Sequence, residues 1–470
     1  MKGSYGQDCK LFSGLLLCLL SVINIAYLHI GGKFINLLEE DFSKYNRNEL
    51  KISNFRRLIS AIDRNGLALT NDTAARRVDS ASIKEIVSRL AQDNPDLESI
   101  VPLSQFDSYD YILDTEPICQ NQWGARRIKS TLSHSPNSGN DSLITIIVAI
   151  RSAVNNHAAR RAIRSSWYLN KTVDDIVTFK TVFMVGACDK QNPPPPGVSH
   201  KAWSTGDCKK AIHNESREYR DIVQSSAVDN YYNNTLKTAM TLRYVVERCP
   251  SDFTLTIDDD FGFEVDNFMK HLVQLASMEH TIPYDAISPQ KIPQSGSSNQ
   301  LKLADVVRDL RPIESVELNQ ESQRIDRLIT LDNLRTLSYQ YLYNGNLQDY
   351  TATPRRQLYD KWYISRGDYP YNRYPPFLSG GSVLMSFKTV KHFYLATFFT
   401  RSFIFDDVYL GMLAYRLGFL PEGNKNFLCD VQRYLEANPI QSNATQCIGV
   451  HEIKPDKLIE LWKQRKELSR

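Results

Sequence analysis

The sequence predicts an α/β fold with a mostly parallel sheet flanked by helices, preceded by a transmembrane helix and a stem. Three observations support this prediction. Short apolar runs rich in β-branched residues alternate with helical stretches beyond residue 140, as in proteins with buried parallel strands. A long uncharged run lies close to the N-terminus, and a polar segment separates it from the alternating region. We therefore expect a folded domain over residues 141–470 and a stem over residues 31–140.

The uncharged run extends over residues 11–30 and is long enough to cross a bilayer as a helix of about 30 Å. Lys2 and Lys10 precede it, whereas the acidic residues 39–41 follow it. The positive-inside bias therefore predicts a cytosolic tail over residues 1–10 and a luminal body. A cleaved signal peptide is the alternative, but its apolar region is shorter and ends at a small-residue cleavage site. We interpret the run as a signal anchor.

Two further features favour a luminal body. Six N-x-S/T sequons follow the span, at Asn71, Asn140, Asn170, Asn214, Asn233 and Asn443. Six cysteines also follow it, at Cys119, Cys188, Cys208, Cys249, Cys429 and Cys447. Such cysteines suit an oxidising compartment, and the sequence leaves all fifteen pairings open.

The composition is that of a globular protein with no bias towards nucleic acid. Hydrophobic residues make up 42% of the chain and charged residues 23%, and the formal net charge is only +3 at pH 7. A chain of this length has enough apolar material to form its own core. The sequence has no long basic run, so its charge gives no support to nucleic-acid binding.

Five segments account for the predicted sheet and its first helices. Residues 143–150, 179–185 and 253–257 are short apolar runs and are predicted strands. Residues 157–167 and 235–249 have helical periodicity. Strands that alternate with helices in this way indicate parallel pairing with the helices on the faces of the sheet.

The alternation weakens between residues 286 and 346, where the sequence is polar and charged. We interpret this stretch as an insertion, which is either a lid or acceptor loop or a surface insert without a catalytic role. Regular patterning returns at residue 351, and residues 454–470 are predicted to form a terminal amphipathic helix.

The acidic triplet Asp258, Asp259 and Asp260 follows the predicted strand 253–257 directly. Adjacent carboxylates repel one another unless a cation or hydrogen-bond donors neutralise them. Ligands of open α/β sheets bind at the carboxyl ends of the strands, and carboxylate oxygens suit Mg²⁺ or Mn²⁺. The triplet therefore indicates a metal site that could hold a nucleotide diphosphate, although a solvated acidic turn has the same sequence.

A second acidic pair, Asp406 and Asp407, follows the aromatic run 403–405. Apolar surroundings raise the pKa of a carboxyl group towards the range of a general base. The alternative is a helix N-terminus, where aspartate is also favoured.

Candidate phosphate-binding groups precede both acidic clusters. Arg160 and Arg164 are spaced i, i+4 and share one face of the predicted helix 157–167. Lys237 lies at the start of the helical segment 235–249, and His451 near the C-terminus is a candidate metal ligand. Taken alone, each of the three cations is more often a surface residue, and a lone histidine is more often structural.

The order of the motifs is more specific than any one of them. The chain contains R-x-A-I-R-x-S-W at 160–167, E-x-x-x-Y-x-D-I at 215–222, Y-Y-N-N-T-L-K-T at 231–238, C-P at 249–250, D-D-D at 258–260, K-W-Y-I-S at 361–365, Y-P-P-F-x-x-G-G at 374–381 and D-D-V-Y-L-G at 406–411. This series resembles the beta-1,3-galactosyltransferase family, glycosyltransferase family 31, which also contains beta-1,3-N-acetylglucosaminyltransferases. The resemblance covers residues 141–285 and 350–462.

The resemblance implies a GT-A fold, a single-pass type II topology in the Golgi membrane, a UDP-sugar donor, Mn²⁺ dependence and inversion at the anomeric carbon. It implies a glycan acceptor on a glycoprotein or glycolipid, and it leaves self-association into a homodimer open. We expect galactose transfer to O3 of a terminal sugar. The alternatives are transfer of N-acetylglucosamine, or an inactive homologue that acts as a luminal binding protein or chaperone.

Carried over to this sequence, the resemblance assigns a role to each matching residue. Asp258 and Asp260 match the two acids of the family's D-x-D motif, and Asp260 is the better metal ligand. His451 falls where related enzymes place a second metal ligand. Asp407 is the expected general base, with Asp406 beside it. The residues expected to bind the donor are Arg160, Arg164, Lys237, Asp258, Asp259, Trp362 and Tyr363.

Overall fold

A computed structural model of the chain describes residues 52–66, 78–93, 97, 100–115, 143–190, 192, 204–278, 315–349, 352–436 and 446–468. The signal anchor expected at residues 11–30 lies outside these ranges. No helix within the ranges is both long and apolar enough to cross a membrane.

A nine-stranded mixed sheet lies at the centre of the described residues. Its strands are β1 (Tyr111–Leu113), β2 (Ile144–Arg151), β3 (Thr172–Val173), β4 (Val177–Ala187), β5 (Ile222–Val228), β6 (Phe253–Asp258), β8 (Tyr343–Gln348), β9 (Phe377–Ser386) and β10 (Glu422–Gly423). They are arranged in the order β1-β5-β4-β2-β6-β9-β8-β10, with β3 paired to β4. Two short strands, β7 (Gly262–Phe263) and β11 (Gly449–Val450), form a separate antiparallel pair.

Eleven α-helices are described; two precede β1 in the chain, one follows β11, and the others lie between strands. The helices are α1 (Ile52–Gly66), α2 (Ser80–Asp93), α3 (His157–Arg164), α4 (Thr205–Tyr219), α5 (Asn234–Glu247), α6 (Val265–Ser277), α7 (Ser315–Ser338), α8 (Phe387–Thr397), α9 (Asp406–Arg416), α10 (Val431–Glu436) and α11 (Pro455–Leu468). The α/β prediction is confirmed, and the predicted strands and helices of residues 143–257 form with ends shifted by a few residues.

Parallel pairing joins β5, β4, β2 and β6 at the centre of the sheet, and it also joins β10 to β8 at one edge. The sheet is therefore mixed, and the prediction of a mostly parallel sheet holds only for its centre. Strands β1 and β9 pair antiparallel to β5 and β6 respectively. The apolar run of β2 is continuous because both faces of the strand are covered. Ile146, Val148 and Ile150 pack into the core on one face, and Ile147 and Ala149 pack into the core on the other.

Part of the segment expected to act as a stem packs into the second of these cores. Helix α1 carries apolar residues at positions i, i+3, i+4 and i+7, which are Phe55, Leu58, Ile59 and Ile62, and all four are buried. Strand β1 extends the sheet by pairing with β5. The described residues of this segment are therefore part of the folded domain, a feature that its polar composition concealed.

The second half of the predicted insertion also belongs to the fold. Leu331, Leu334 and Leu337 of helix α7 are buried against the sheet, and β8 pairs with β9 from Tyr343 to Gln348. Residues 286–314 lie outside the described ranges. Helix α11 agrees with the helix predicted at the C-terminus.

If α1 is part of the core, shortening one of its buried side chains must destabilise the domain. We predict that Ile59→Ala, at a position with 0% exposure, lowers the free energy of unfolding by about 2–4 kcal/mol because it leaves a cavity. Urea denaturation of the full chain in detergent measures this change. The neighbouring exposed Arg57→Ala is the control and should have little effect. Equal stabilities for the two variants would show that α1 does not pack on the domain.

Candidate active site

A cleft of about 450 Å³ opens at the carboxyl ends of the parallel strands. Strands β2 and β6 are neighbours, and their register places Arg151 opposite Asp258 at this edge. The acidic triplet 258–260, Arg151, Lys237 and Tyr231 all line the cleft. This is the position at which ligands bind in open α/β sheets.

Arg151 connects the two acidic clusters of the sequence. Its Nε donates a hydrogen bond to Asp258 Oδ1 at 2.9 Å, and its Nη1 pairs with Asp406. Its Nη2 donates to the carbonyl of Gly380 in β9. Burial opposes the charge of Arg151, but Asp258 and Asp406 outweigh burial and raise the pKa of the guanidinium above its usual value. One buried cation thus holds β2, β6, β9 and α9 together.

Asp258, Asp260 and His451 form a cluster whose ligand atoms all lie within 4.8 Å of one another. His451 Nε2 is 3.3 Å from Asp260 Oδ2, and this hydrogen bond raises the pKa of His451 although burial opposes it. The antiparallel pairing of β7 with β11 creates the contact, because β7 begins two residues after Asp260 and β11 ends one residue before His451.

The cluster suits a divalent cation. Asp260 Oδ1 is buried and has no hydrogen-bond partner within the described part of the chain. A buried carboxylate oxygen without a donor is costly unless a cation compensates it. Two carboxylates and one imidazole form a ligand set found at divalent metal sites. The structure therefore contains an Asp-Asp-His arrangement that fits a metal ion.

Asp259 is not a member of this cluster and has different partners. Ser152 Oγ and Asn156 Nδ2 donate hydrogen bonds to Asp259 Oδ2 at 2.6 and 2.9 Å. Burial raises the pKa of Asp259 to about 6, with a further contribution from Asp258, and the hydrogen bond from Ser152 opposes the shift. The predicted donor-binding residue Asp259 thus lines the cleft while both hydrogen bonds fix its side chain.

Asp406 and Asp407 begin helix α9, as one of the two sequence interpretations expected. Asp406 pairs with Arg151, whereas the Val408 amide donates to Asp407 Oδ1 at 2.7 Å. Burial, followed by repulsion from Asp406, raises the pKa of Asp407 to about 7.

Gly411 lets α9 pack closely on β9, because a Cβ atom at this position would lie 2.6 Å from Phe377 Cβ.

Arg160 and Arg164 lie behind the cleft. Arg160 is fully buried, and its Nε and Nη2 donate to the two oxygens of Glu215 at 2.8 Å each. Arg164 donates to both oxygens of Asp221, at 2.7 and 2.8 Å, and to Glu215 Oε1 at 2.8 Å. These ion pairs occupy the guanidinium groups, so the structure gives no support to a direct donor contact. The two arginines instead anchor α3 to the end of α4.

Arg160 nevertheless acts on the cleft indirectly. Its Nη1 donates to Ser152 Oγ at 2.8 Å, and the same hydroxyl donates to Asp259. The buried ion pairs therefore fix the orientation of a side chain that lines the cleft.

Lys237 does line the cleft, but it is also held by protein groups. Its Nζ donates to Asp229 Oδ1 and to the carbonyl of Ser152, each at 2.9 Å. Asp229 is itself fixed, because its Oδ2 accepts hydrogen bonds from the amides of Val154 and Gly186 at 2.6 and 3.0 Å. Lys237 therefore places a positive charge at a fixed point of the cleft wall.

Trp362 and Tyr363 lie in the loop between β8 and β9. Trp362 is 49% exposed, and its Nε1 donates to the Tyr231 hydroxyl at 3.2 Å, which links this loop to the cleft lining. Tyr363 is half-buried. Trp362 is therefore next to the cleft without being part of its wall.

The sequence interpretation missed two residues that organise the cleft. Arg151 follows the apolar run 143–150 directly, so the rule that ligands bind at strand ends could have identified it. Asp229 had no such signal, because its importance comes from its contact with Lys237 and two amides. Asp229 lies one residue beyond β5, which indicates only that it is at the edge of the sheet.

Comparison with known proteins assigns the family. The sequence profile of the galactosyltransferase family matches residues 158–302 and 325–423, which together are just over half of the chain. The residues between these segments, 303–324, lie within the predicted insertion.

Curated relatives align over about two thirds of the chain. Beta-1,3-galactosyltransferase brn of Drosophila melanogaster is 25% identical over 68% of this chain and 74% of its own length. Beta-1,3-galactosyltransferase bre-5 of Caenorhabditis elegans is 25% identical over 62% of this chain and 66% of its own length. Beta-1,3-galactosyltransferase 1 of Mus musculus is 23% identical over 70% of this chain and 77% of its own length.

Solved structures resemble the chain only distantly. Galactosyltransferase LgtC, crystallised with donor and acceptor sugar analogs, is 11% identical with a TM-score of 0.28, over 68% of this chain and 96% of LgtC. Mouse xyloside xylosyltransferase 1 is 9% identical with a TM-score of 0.27, over 66% of this chain and 97% of its own. TM-scores this low do not support a shared fold, so the α/β assignment depends on the sheet described above. On the strength of the profile match, the chain belongs to the galactosyltransferase family and is a glycosyltransferase, with a nucleotide-sugar donor and a glycan acceptor.

Proposed function

We propose that the enzyme transfers galactose from UDP-galactose to O3 of a terminal sugar on a glycoprotein or glycolipid, with inversion and with Mn²⁺, on a fold of GT-A type. One observation carries the proposal. Arg151 binds both Asp258 of the candidate metal cluster and Asp406, the neighbour of Asp407, so the candidate metal site and the candidate base lie at the same end of the sheet. The named relatives are beta-1,3-galactosyltransferases, which supports the choice of sugar and linkage.

The reaction is a single displacement at the anomeric carbon. The acceptor hydroxyl forms a bond to C1 of the donor, the bond from C1 to the UDP oxygen breaks, and Asp407 takes the hydroxyl proton. A pKa near 7 suits this role, because half of the Asp407 population is ionised near neutral pH and the base is stronger than an ordinary aspartate. UDP leaves with the bonding electrons on its terminal phosphate oxygen.

The remaining residues of the cleft bind and stabilise the donor. A Mn²⁺ ion held by Asp258, Asp260 and His451 would supply Lewis-acid stabilisation of the diphosphate. Lys237 adds a fixed positive charge on the cleft wall, and it needs no reorganisation because Asp229 already orients it. Asp259 faces the same cleft and provides an acceptor for donor hydroxyl groups.

We further propose a type II orientation in the Golgi membrane, with residues 11–30 as the anchor. Disulfides Cys188–Cys208 and Cys429–Cys447 are consistent with an oxidising lumen. The sequon residues Asn170 and Asn214 are exposed and accessible to glycosylation. Protection of the body from protease in intact microsomes tests this orientation, and digestion without detergent would contradict it.

The first experiment measures UDP release by the full chain in detergent with Mn²⁺. UDP-galactose and UDP-N-acetylglucosamine are offered separately with a panel of terminal-sugar acceptors. We expect acceptor-dependent turnover with UDP-galactose that chelation abolishes. The Asp407→Asn variant should lose at least about a hundredfold in kcat, the typical contribution of a general base.

Asp332→Asn is a matched control, because Asp332 is an exposed residue of helix α7 that does not line the cleft, and this variant should retain turnover. Turnover only with UDP-N-acetylglucosamine would replace the donor in our proposal. An Asp407→Asn variant as active as the parent would exclude Asp407 as the base. A folded chain that neither binds UDP with Mn²⁺ nor releases it would contradict the transferase proposal.

The pKa of Asp407 also predicts the pH dependence of transfer. A base acts only when it is ionised, so kcat should fall about tenfold for each pH unit below 7 and become constant above it. Asp406→Asn removes the neighbouring negative charge, which lowers the pKa of Asp407 and moves the fall to lower pH. Rates between pH 5 and 9 at saturating substrate test this. UDP affinity over the same range separates loss of the base from loss of the metal ligands, and a pH-independent kcat would contradict the assignment.

A further inference from the structure

The rim of the cleft carries exposed aromatic side chains that the proposed chemistry does not use. Tyr231 and Tyr232 follow β5 and are 44% and 66% exposed, and Trp362 is 49% exposed. We call these three residues the aromatic rim. Large aromatic side chains are costly to leave in water, so a group of them beside a ligand cleft indicates a binding surface.

Contacts between distant segments hold the aromatic rim together. The rings of Tyr231 and Tyr232 pack edge to face at 5.7 Å, and the Trp362 Nε1 donates to the Tyr231 hydroxyl at 3.2 Å. The Lys361 Nζ lies 4.9 Å from the Tyr231 ring centroid and 5.4 Å from that of Trp362. Because two loops more than a hundred residues apart in the sequence build this surface, it depends on the folded domain and not on local sequence.

The aromatic rim is continuous with the cleft. Tyr231 lines the same cleft as Asp258, Asp260 and Lys237, whereas Tyr232 and Trp362 extend the surface from Tyr231 towards solvent. A ligand with one end bound in the cleft would therefore have the rest of its length lying over these rings.

The composition of the rim fits a carbohydrate chain. One face of a hexose presents C–H groups that pack on an aromatic ring, and its hydroxyl groups need hydrogen-bond partners at the edge. Tyr231 and Tyr232 provide hydroxyls of that kind, and the Lys361 ammonium provides further donors.

We infer that the aromatic rim binds the second sugar of the acceptor, so that the enzyme prefers acceptors of at least two sugar residues. This inference rests on the proposed function. The terminal sugar of the acceptor lies in the cleft with its hydroxyl directed to Asp407, and the sugar that precedes it packs on Trp362 and Tyr231. Acceptor selection then depends on groups separate from those that hold the donor.

The test compares acceptors of different length with the full chain, UDP-galactose and Mn²⁺. The probes are the methyl glycosides of N-acetylglucosamine and galactose, and disaccharides that end in each of these sugars. We expect kcat/KM to be about tenfold higher for the preferred disaccharide than for the matching monosaccharide, the gain that one aromatic contact of about 1.4 kcal/mol provides.

Trp362→Ala should raise the KM of the disaccharide about tenfold and remove its advantage over the monosaccharide. The KM of the monosaccharide should change much less, because the terminal sugar lies in the cleft and not on the aromatic rim. Trp362→Phe keeps a ring and should restore most of the preference. Tyr339→Ala is the matched control, since Tyr339 is 66% exposed and precedes β8 at the end of the sheet away from the cleft.

Two results would overturn the inference while leaving the proposed function intact. The first is equal kcat/KM for monosaccharide and disaccharide in the parent enzyme. The second is a Trp362→Ala variant in which monosaccharide and disaccharide transfer fall by the same factor. Absence of transfer to every acceptor, together with absence of UDP release, would instead refute the proposed function on which the inference rests.

Discussion

The guanidinium of Arg151 is the group on which the organisation of the cleft depends. Five aspartates, at positions 258–260 and 406–407, are brought to one edge of the sheet. Like charges held close together repel one another and destabilise the fold, and the low dielectric of a cleft wall strengthens this repulsion. Arg151 offsets part of it by binding Asp258 and Asp406 at the same time, and it also donates to the backbone of β9. Asp260 Oδ1 lacks a hydrogen-bond partner among the described residues and lies where a metal ion fits.

The rest of the fold determines which acids face each other. Adjacent pairing of β2 and β6 brings Arg151 beside Asp258, although more than a hundred residues separate them in the sequence. Close packing of α9 on β9 at Gly411 brings Asp406 to the same arginine. Pairing of β7 with β11 adds His451 from the far end of the chain. Each of these contacts joins segments that fold into separate elements, so the site exists only in the complete domain.

Sequence alone predicted those parts that local patterns determine. The strand 144–151 was predictable because it is apolar on both faces. The acidic clusters Asp258–Asp260 and Asp406–Asp407 were predictable because they follow apolar runs. Lys237 and His451 were candidates from the sequence alone, and the resemblance to a known family supplied their expected roles. The packing of α1 could have been predicted from Phe55, Leu58, Ile59 and Ile62, but the polar residues around them concealed the pattern.

Other features depended on pairings that no local pattern contains. The i, i+4 spacing of Arg160 and Arg164 indicated a shared helix face. The partners of that face, Glu215 in α4 and Asp221 just before β5, could not be read from the spacing. The position of Arg151 at a strand end was readable from the sequence, but its partners Asp258 and Asp406 come from other elements. The aromatic rim likewise joins a residue that follows β5 to one in the loop before β9. Tertiary neighbours decided the function of these side chains, while their sequence context only placed them near a strand end.

The most direct test of this account is a double-mutant cycle on Arg151 and Asp406. We predict that Arg151→Met lowers the free energy of unfolding by about 3 kcal/mol, because it leaves Asp406 and Asp258 without their counter-charge. Adding Asp406→Asn to this variant should cost little or restore part of the loss, which corresponds to a coupling free energy of about 1–3 kcal/mol. Urea denaturation of the four proteins gives the cycle. Additive effects of the two substitutions would show that Arg151 does not hold the acidic clusters together, and would contradict the central claim.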